Sequence, residues 1–141
     1  MATHLTGGCI CGGVRYESVA APIVAANCHC RDCQRATGSA FAAILFVPRE
    51  AVTITGNVKY YDVAGESGNV VTRGFCPTCG ARLFSKPSPA ILLADLLGIS
   101  AGSLDDPSRH PPMMDIYVAS AQPWDLLNPD LPKFPKLPQP S

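Results

Sequence analysis

An imbalance of charge is the first thing this sequence lacks. Eleven basic and eleven acidic residues cancel to a formal net charge of zero over 141 residues, and neither sign forms a run. The electrostatic footprint of a nucleic-acid binder is therefore missing. No apolar stretch approaches the roughly 20 residues that a membrane span requires, and residues 1–6 carry no basic region of a secretory signal. The expectation is a cytoplasmic protein with neither nucleic acid nor a membrane as partner. Internal repeats and low-complexity blocks are also lacking. One domain over residues 1–141 is expected, long enough to bury about two thirds of its unfolded surface.

Helical periodicity is scarce as well. Glycine and proline break the chain into short runs rich in Val, Ile, Phe and Tyr, which is the vocabulary of strands. Strands are expected at 14–18, 23–27, 40–47, 52–55, 58–63, 70–75, 83–85, 91–94, 97–101 and 116–119. A short helix is expected from Asp32, a plausible N-cap, to Gly38, a plausible stop. Prolines crowd the end, at Pro123, Pro129, Pro132, Pro135, Pro138 and Pro140. Residues from about 129 to 141 should form an extended, solvent-facing tail.

What the chain does have is cysteine, in three compact clusters: Cys9 and Cys11, then Cys28, Cys30 and Cys33, then Cys76 and Cys79. Thiolates this close on a turn can converge on one tetrahedral ion, with zinc–sulfur bonds of roughly 2.3 Å. The seven divide as four and three. The first and last pairs supply a closed site, whereas the central triple leaves a fourth position open. Closed zinc sites are usually structural and open ones chemical. Two zinc ions per chain are thus expected. A single structural zinc with spare thiols and a disulfide protein are the alternatives. An odd count and close spacing tell against disulfides.

Gly7, Gly8, Gly12 and Gly13 bracket the first pair, and Gly80 follows the last. Such glycines suit tight or left-handed backbone around an ion. Joining the first pair to the last would pin the N-terminal hairpin to the middle of the domain. A structural zinc can add on the order of 10 kcal/mol of apparent binding free energy to folding.

With these residues in hand, the chain resembles the glutathione-dependent formaldehyde-activating enzyme family, whose domain is shared with centromere protein V. The resemblance spans about residues 5 to 135. It is carried by G-x-C-x-C-G-x-V-x-Y at residues 7–16, C-H-C-x-x-C-x-x-x-x-G at 28–38 and G-F-C-x-x-C-G at 74–80. G-S-L-D-D-P at 102–107 and W-D-x-L-x-P-D-L-P-K-F-P at 124–135 extend it. The resemblance implies a mainly β fold of several small antiparallel sheets leaning together as a β-tent, with little helix. It also implies a structural zinc knuckle at Cys9, Cys11, Cys76 and Cys79, and a catalytic zinc at Cys28, Cys30 and Cys33. The implied activity joins glutathione to formaldehyde through a carbon–sulfur bond, or breaks that bond. Many members carry a His just before the strand matching residues 116–117, where this chain has Asp115.

Around the triple, Arg31 and Arg35 are candidate substrate-binding residues, since a guanidinium presents a fixed fork of donors to a carboxylate. Ordinary surface arginines are the plainer reading. His29 could serve the site or merely pack, and Gln34 and Ser39 are read as structural. Asp105 and Asp106 before Pro107 suit a turn. His4 and His110 have no second ligand at metal spacing. Trp124, Phe41, Phe46, Phe75 and Phe84 suit core or pocket wall, and Met113 and Met114 a pocket mouth or packing.

A zinc with a vacancy can lower the pKa of a bound thiol. The leading expectation is a zinc-dependent carbon–sulfur lyase whose partner is a small thiol–aldehyde adduct, such as that of glutathione and formaldehyde. The rival is a non-catalytic zinc-binding interaction module. Asp115, if near the triple, would add negative charge and disfavour glutathione. It could equally point into solvent.

Overall fold

The computed structural model describes residues 4–65, 68–87 and 95–138. In chain order the described elements are β1 (Leu5–Gly8), β2 (Arg15–Ser18), β3 (Val24–Cys28), α1 (Arg31–Thr37), β4 (Ala42–Pro48), β5 (Val52–Thr55) and β6 (Lys59–Ala64). They continue with β7 (Val70–Phe75), β8 (Arg82–Lys86), β9 (Leu96–Ser100) and β10 (Met114–Ile116). The fold is mainly β, as expected. The strand expected at 91–94 lies outside the described residues.

A three-stranded sheet is ordered β1-β2-β5, and the other sheet runs β10-β3-β4-β9-β8-β7-β6. Every pairing is antiparallel except β10 against β3. The small sheet shows the two-residue period of a half-buried strand. Leu5 and Gly7 face inward from β1, and Tyr16 and Ser18 from β2, while Thr6, Arg15 and Glu17 face water. Sequence reading missed β1 because half of it is glycine. Gly7 is nevertheless required there: a Cβ would lie 2.2 Å from the Tyr16 hydroxyl.

Two cores result, and each carries one cysteine cluster. The larger packs Leu45, Val47, Leu83, Phe84, Leu97 and Ile99 with Val14 and Tyr16, and Cys76 is buried within it. Tyr16 meets Phe84 edge-on, with ring centroids 5.4 Å apart. Burying one large side chain here stabilises by roughly 1.5–3 kcal/mol. The smaller core gathers Ala26, Ala42 and Ile116 around Cys28 and Cys33.

Two expectations need correction. Helix α1 begins at Arg31, and its N-cap is Cys30, whose Sγ accepts from the Cys33 amide at 3.2 Å. Asp32 sits inside the first turn, where its charge suits the helix dipole. Gly38 does end the helix, in left-handed conformation at φ 69°.

The proline-rich segment is extended, but it is not wholly solvent-facing. Phe134 and Leu137 pack on the smaller core. Proline has no N–H to donate, yet its carbonyl still accepts. The Asp115 amide donates to the Pro132 carbonyl and the Phe134 amide to the Asp115 carbonyl, each at 2.9 Å. Alternation of proline with Phe and Leu thus makes an edge partner for β10. That strand ends earlier than expected, because Tyr117 turns into left-handed conformation at φ 57° and a 3-10 turn follows.

Candidate functional site

The closed group is built on two turns. The first joins β1 to β2: the Gly12 amide donates to the Cys9 carbonyl at 3.3 Å, with Gly12 at φ 79°. The second joins β7 to β8, where the Cys76 amide donates to Ala81 and the Gly80 amide to Cys76. Cys9, Cys11, Cys76 and Cys79 then hold their sulfurs within 4.8 Å of one another. The Cys9 and Cys11 sulfurs are 3.6 Å apart, and those of Cys11 and Cys76 are 3.7 Å apart. A tetrahedron with zinc–sulfur bonds of roughly 2.3 Å has an edge of about 3.8 Å, so the donor set fits such an ion.

Backbone amides favour the thiolate at two of these sulfurs, Cys9 and Cys79. The Val14 amide, donating at 3.2 Å, brings the Cys9 thiol down. The Ala81 amide does the same for Cys79, which falls to about 6. Backbone N–H groups aimed at sulfur favour its charged form.

The second group occupies the junction of β3 and α1. Cys28 ends β3, Cys30 caps the helix and Cys33 lies one turn inside it, with the three sulfurs within 4.8 Å. Thiol hydrogen bonds from Cys28 and Cys33 pull Cys30 down to about 2, and Cys28 is pushed up in turn. These sulfurs form part of the wall of a cavity of about 430 Å³, otherwise lined largely by apolar side chains such as Ile44, Phe46, Phe84, Ile116 and Leu137. This group too could hold a metal ion, and three donors would leave a tetrahedral ion one ligand short.

Candidates around the triple separate. Arg31 lines the cavity, and its guanidinium donates to the Gln34 side-chain oxygen. Arg35 does not line it: with Ser39, Gln122 and Trp124 it borders a shallower groove on the outer side of α1, shared with Arg31. Gln34 is structural, donating to the His29 and Ser120 carbonyls at 2.7 and 2.9 Å. Asp105 pairs with Arg15 and Thr6, and Asp106 caps a 3-10 turn. Arg109 donates to the His4 carbonyl. Neither His4 nor His110 belongs to a metal-ligating group among the described residues. Phe46 and Phe84 are cavity wall, whereas Trp124 is 68% exposed at the groove. Met113 is exposed, and Met114 packs on the smaller core.

Asp115 corrects two expectations. It is buried, not solvent-facing, and it does not line the cavity. Its Oδ1 accepts from His29 Nε2 at 2.9 Å, and Lys133 Nζ lies 3.6 Å from its Oδ2. The charge is thus met by two partners behind the cysteine loop, and the expected repulsion of an anionic ligand does not follow. His29 is likewise buried, with its Nδ1 3.1 Å from Asp125 Oδ2 and its ring 5.0 Å from that of Phe41. Parallel pairing of β10 with β3 explains the meeting, since it sets Ile116 beside Cys28 and Asp115 beside Asn27.

Sequence reading overlooked Arg82 and Asp125. Arg82 follows Cys79 by three residues, as Arg73 precedes Cys76 by three, and the β7-β8 hairpin brings both to the cavity.

A mainly β fold with one closed and one open group of cysteines defines the class of protein. The model of the family described as glutathione-dependent formaldehyde-activating enzyme matches residues 4–120, and the chain belongs to that family. A Penicillium rubens protein is 34% identical over 80 residues, covering 55% of this chain and 41% of that protein. A Colletotrichum graminicola protein is 31% identical over 94 residues, 61% of this chain and 49% of its own length. Both bear the family's name provisionally, and this chain spans about half their length or less. A crystal structure of a Rhodobacter sphaeroides protein matches 92% of this chain and 99% of its own, with a TM-score of 0.56 and 17% identity. That likeness shows the fold alone.

Proposed function

We propose that the protein is a zinc-dependent carbon–sulfur lyase acting on a thiol–aldehyde adduct, with the glutathione–formaldehyde adduct as the first candidate. The observation that supports this most is the placement of three cysteine sulfurs, within 4.8 Å of one another, on the wall of a largely apolar cavity. In this reading Cys9, Cys11, Cys76 and Cys79 hold a structural zinc, and Cys28, Cys30 and Cys33 a catalytic one. Zinc in the second position supplies a Lewis acid with an open site.

The chain's own residues do the rest. Ile44, Phe46 and Phe84 keep water from the reacting atoms, which strengthens every electrostatic contact inside. The carbonyl carbon gains or loses the sulfur, and the thiol proton goes to or comes from the adduct oxygen. Holding thiol and aldehyde together removes much of the entropic barrier to joining them. Arg31, at the junction of cavity and groove, holds a substrate carboxylate, while Arg35 extends that hold along the groove. The single-domain organisation and a cytoplasmic setting belong to the same proposal. Among the described residues no helix is long and apolar enough to cross a membrane.

The test is exchange spectroscopy of glutathione with formaldehyde, following the adduct's S–CH2–OH signal. Zinc-loaded protein should accelerate the exchange, and a chelator that strips the accessible ion should abolish the acceleration. No acceleration by fully loaded protein would favour the non-catalytic zinc module.

A further inference from the structure

Beside the cysteine triple, the cavity wall carries two arginines for which the proposed chemistry gives no role. Arg73 lies on β7 and Arg82 on β8, and both line the cavity. Arg73 pairs with Ser85 and Phe75 with Arg82, with a register shift between Gly74 and Phe75. Such irregularities re-aim side chains. Neither guanidinium makes an ion pair with a carboxylate among the described residues. Arg73 Nη2 reaches the Cys33 sulfur at 3.8 Å, one of the five N–H donors of a guanidinium. Arg82 Nε is buried with no hydrogen-bond partner among the described residues. Burial, then the nearby Arg73, pulls the Arg82 pKa below its ordinary value, and the Cys33 sulfur offsets this least.

Charge complementarity points the same way. Three thiolates and a divalent ion leave one net negative charge, and the two guanidiniums exceed it by one. Arg31 and Asp32, which also line the cavity, carry opposite charges. A buried N–H without a partner on a cation is costly, and among the described residues no carboxylate pairs with either guanidinium.

We propose that Arg73 and Arg82 form an anion-binding position that holds the carboxylate of a compact, otherwise apolar monocarboxylate inside the cavity. The inference rests on the cavity being the ligand site of the proposed function, and it adds the feature that selects the ligand. A carboxylate meets a guanidinium through two parallel N–H···O bonds. Its apolar body lies along Ile44, Phe46 and Val71, which line the same space. This recognition differs from that of the outer groove, where Arg35 is exposed and does not line the cavity.

Calorimetric titration of metal-loaded protein with 4-methylpentanoate and with its neutral amide tests this. Neither probe carries a thiol or an aldehyde, so the result is independent of whether lyase chemistry holds. The carboxylate should bind about 10-fold or more tightly than the amide, as charge-assisted hydrogen bonds imply. Arg73→Gln and Arg82→Gln, each checked for fold by circular dichroism, should each remove most of that preference and leave amide binding unchanged. Equal affinity for the two probes overturns the proposal. So does a preference that survives both substitutions, because the carboxylate would then be held by the metal or by the outer groove.

Discussion

The sulfurs of Cys11 and Cys76 stand 3.7 Å apart although 65 residues separate them in the chain. Only an ion between them makes that approach a strong restraint, since each otherwise contributes a weak thiol contact. Removing one ligand should therefore release the β1-β2 turn from the β7-β8 turn. Cys76→Ser or Cys79→Ser is expected to lower stability by several kcal/mol. Chemical denaturation of zinc-loaded parent and variants measures the loss, and parent-like unfolding would remove the structural assignment.

Gly7 and Tyr16 make a second such restraint, of steric origin. A Cβ on Gly7 would sit 2.2 Å from the Tyr16 hydroxyl and 2.5 Å from the Ser103 carbonyl oxygen. The backbone oxygen cannot swing away, so Gly7→Ala should destabilise by about 1–3 kcal/mol, the usual cost of overpacking. Thermal melting reads it directly. An unchanged midpoint would mean that β1 shifts freely.

Tyr16 also sets an alkaline limit. Burial pushes its phenol up to about 12, against a hydrogen bond to Ser103 that lowers it; an unperturbed tyrosine titrates near 10. The raised folded value means that its contribution is fully present below about pH 10 and is lost as pH rises through 12. Stability of the parent should fall across that window. Tyr16→Phe should flatten this part of the profile, and an identical slope would disprove the assignment.

Much of this architecture was legible in the sequence because cysteine clusters carry their geometry locally. Cys9 with Cys11, Cys28 with Cys30 and Cys33, and Cys76 with Cys79 are each grouped by a single turn, so spacing alone divides them. Most strands were equally legible from their β-branched and aromatic runs. What was not legible depends on tertiary pairing. Asp125 meets His29 only because the segment after β10 folds back over the cysteine loop. Arg82 reaches the cavity through the register of β8. The proline-rich segment read as solvated because its missing N–H groups are conspicuous, whereas its accepting carbonyls leave no trace in composition.

Asp115 and His29 join the C-terminal segment to the cysteine loop. Both are almost fully buried, and Lys133 reaches the same carboxylate. Asp115→Ala would strand the His29 ring nitrogen and should cost about 1–3 kcal/mol, the range for leaving a buried polar group without its partner. Asp115→Asn keeps an oxygen acceptor and should cost less. Urea denaturation separates the two. Equal, near-zero losses would show that the loop holds without this contact.

In the proposed function, chemistry resides at Cys28, Cys30 and Cys33, while the other four cysteines only hold the fold. Zinc content and adduct turnover measured together on Cys30→Ser protein test it most directly. The parent should carry close to two zinc ions per chain. The variant should retain one, keep its circular-dichroism spectrum and lose turnover of the glutathione–formaldehyde adduct. A folded variant with one zinc and full turnover would place the chemistry elsewhere than at Cys28, Cys30 and Cys33.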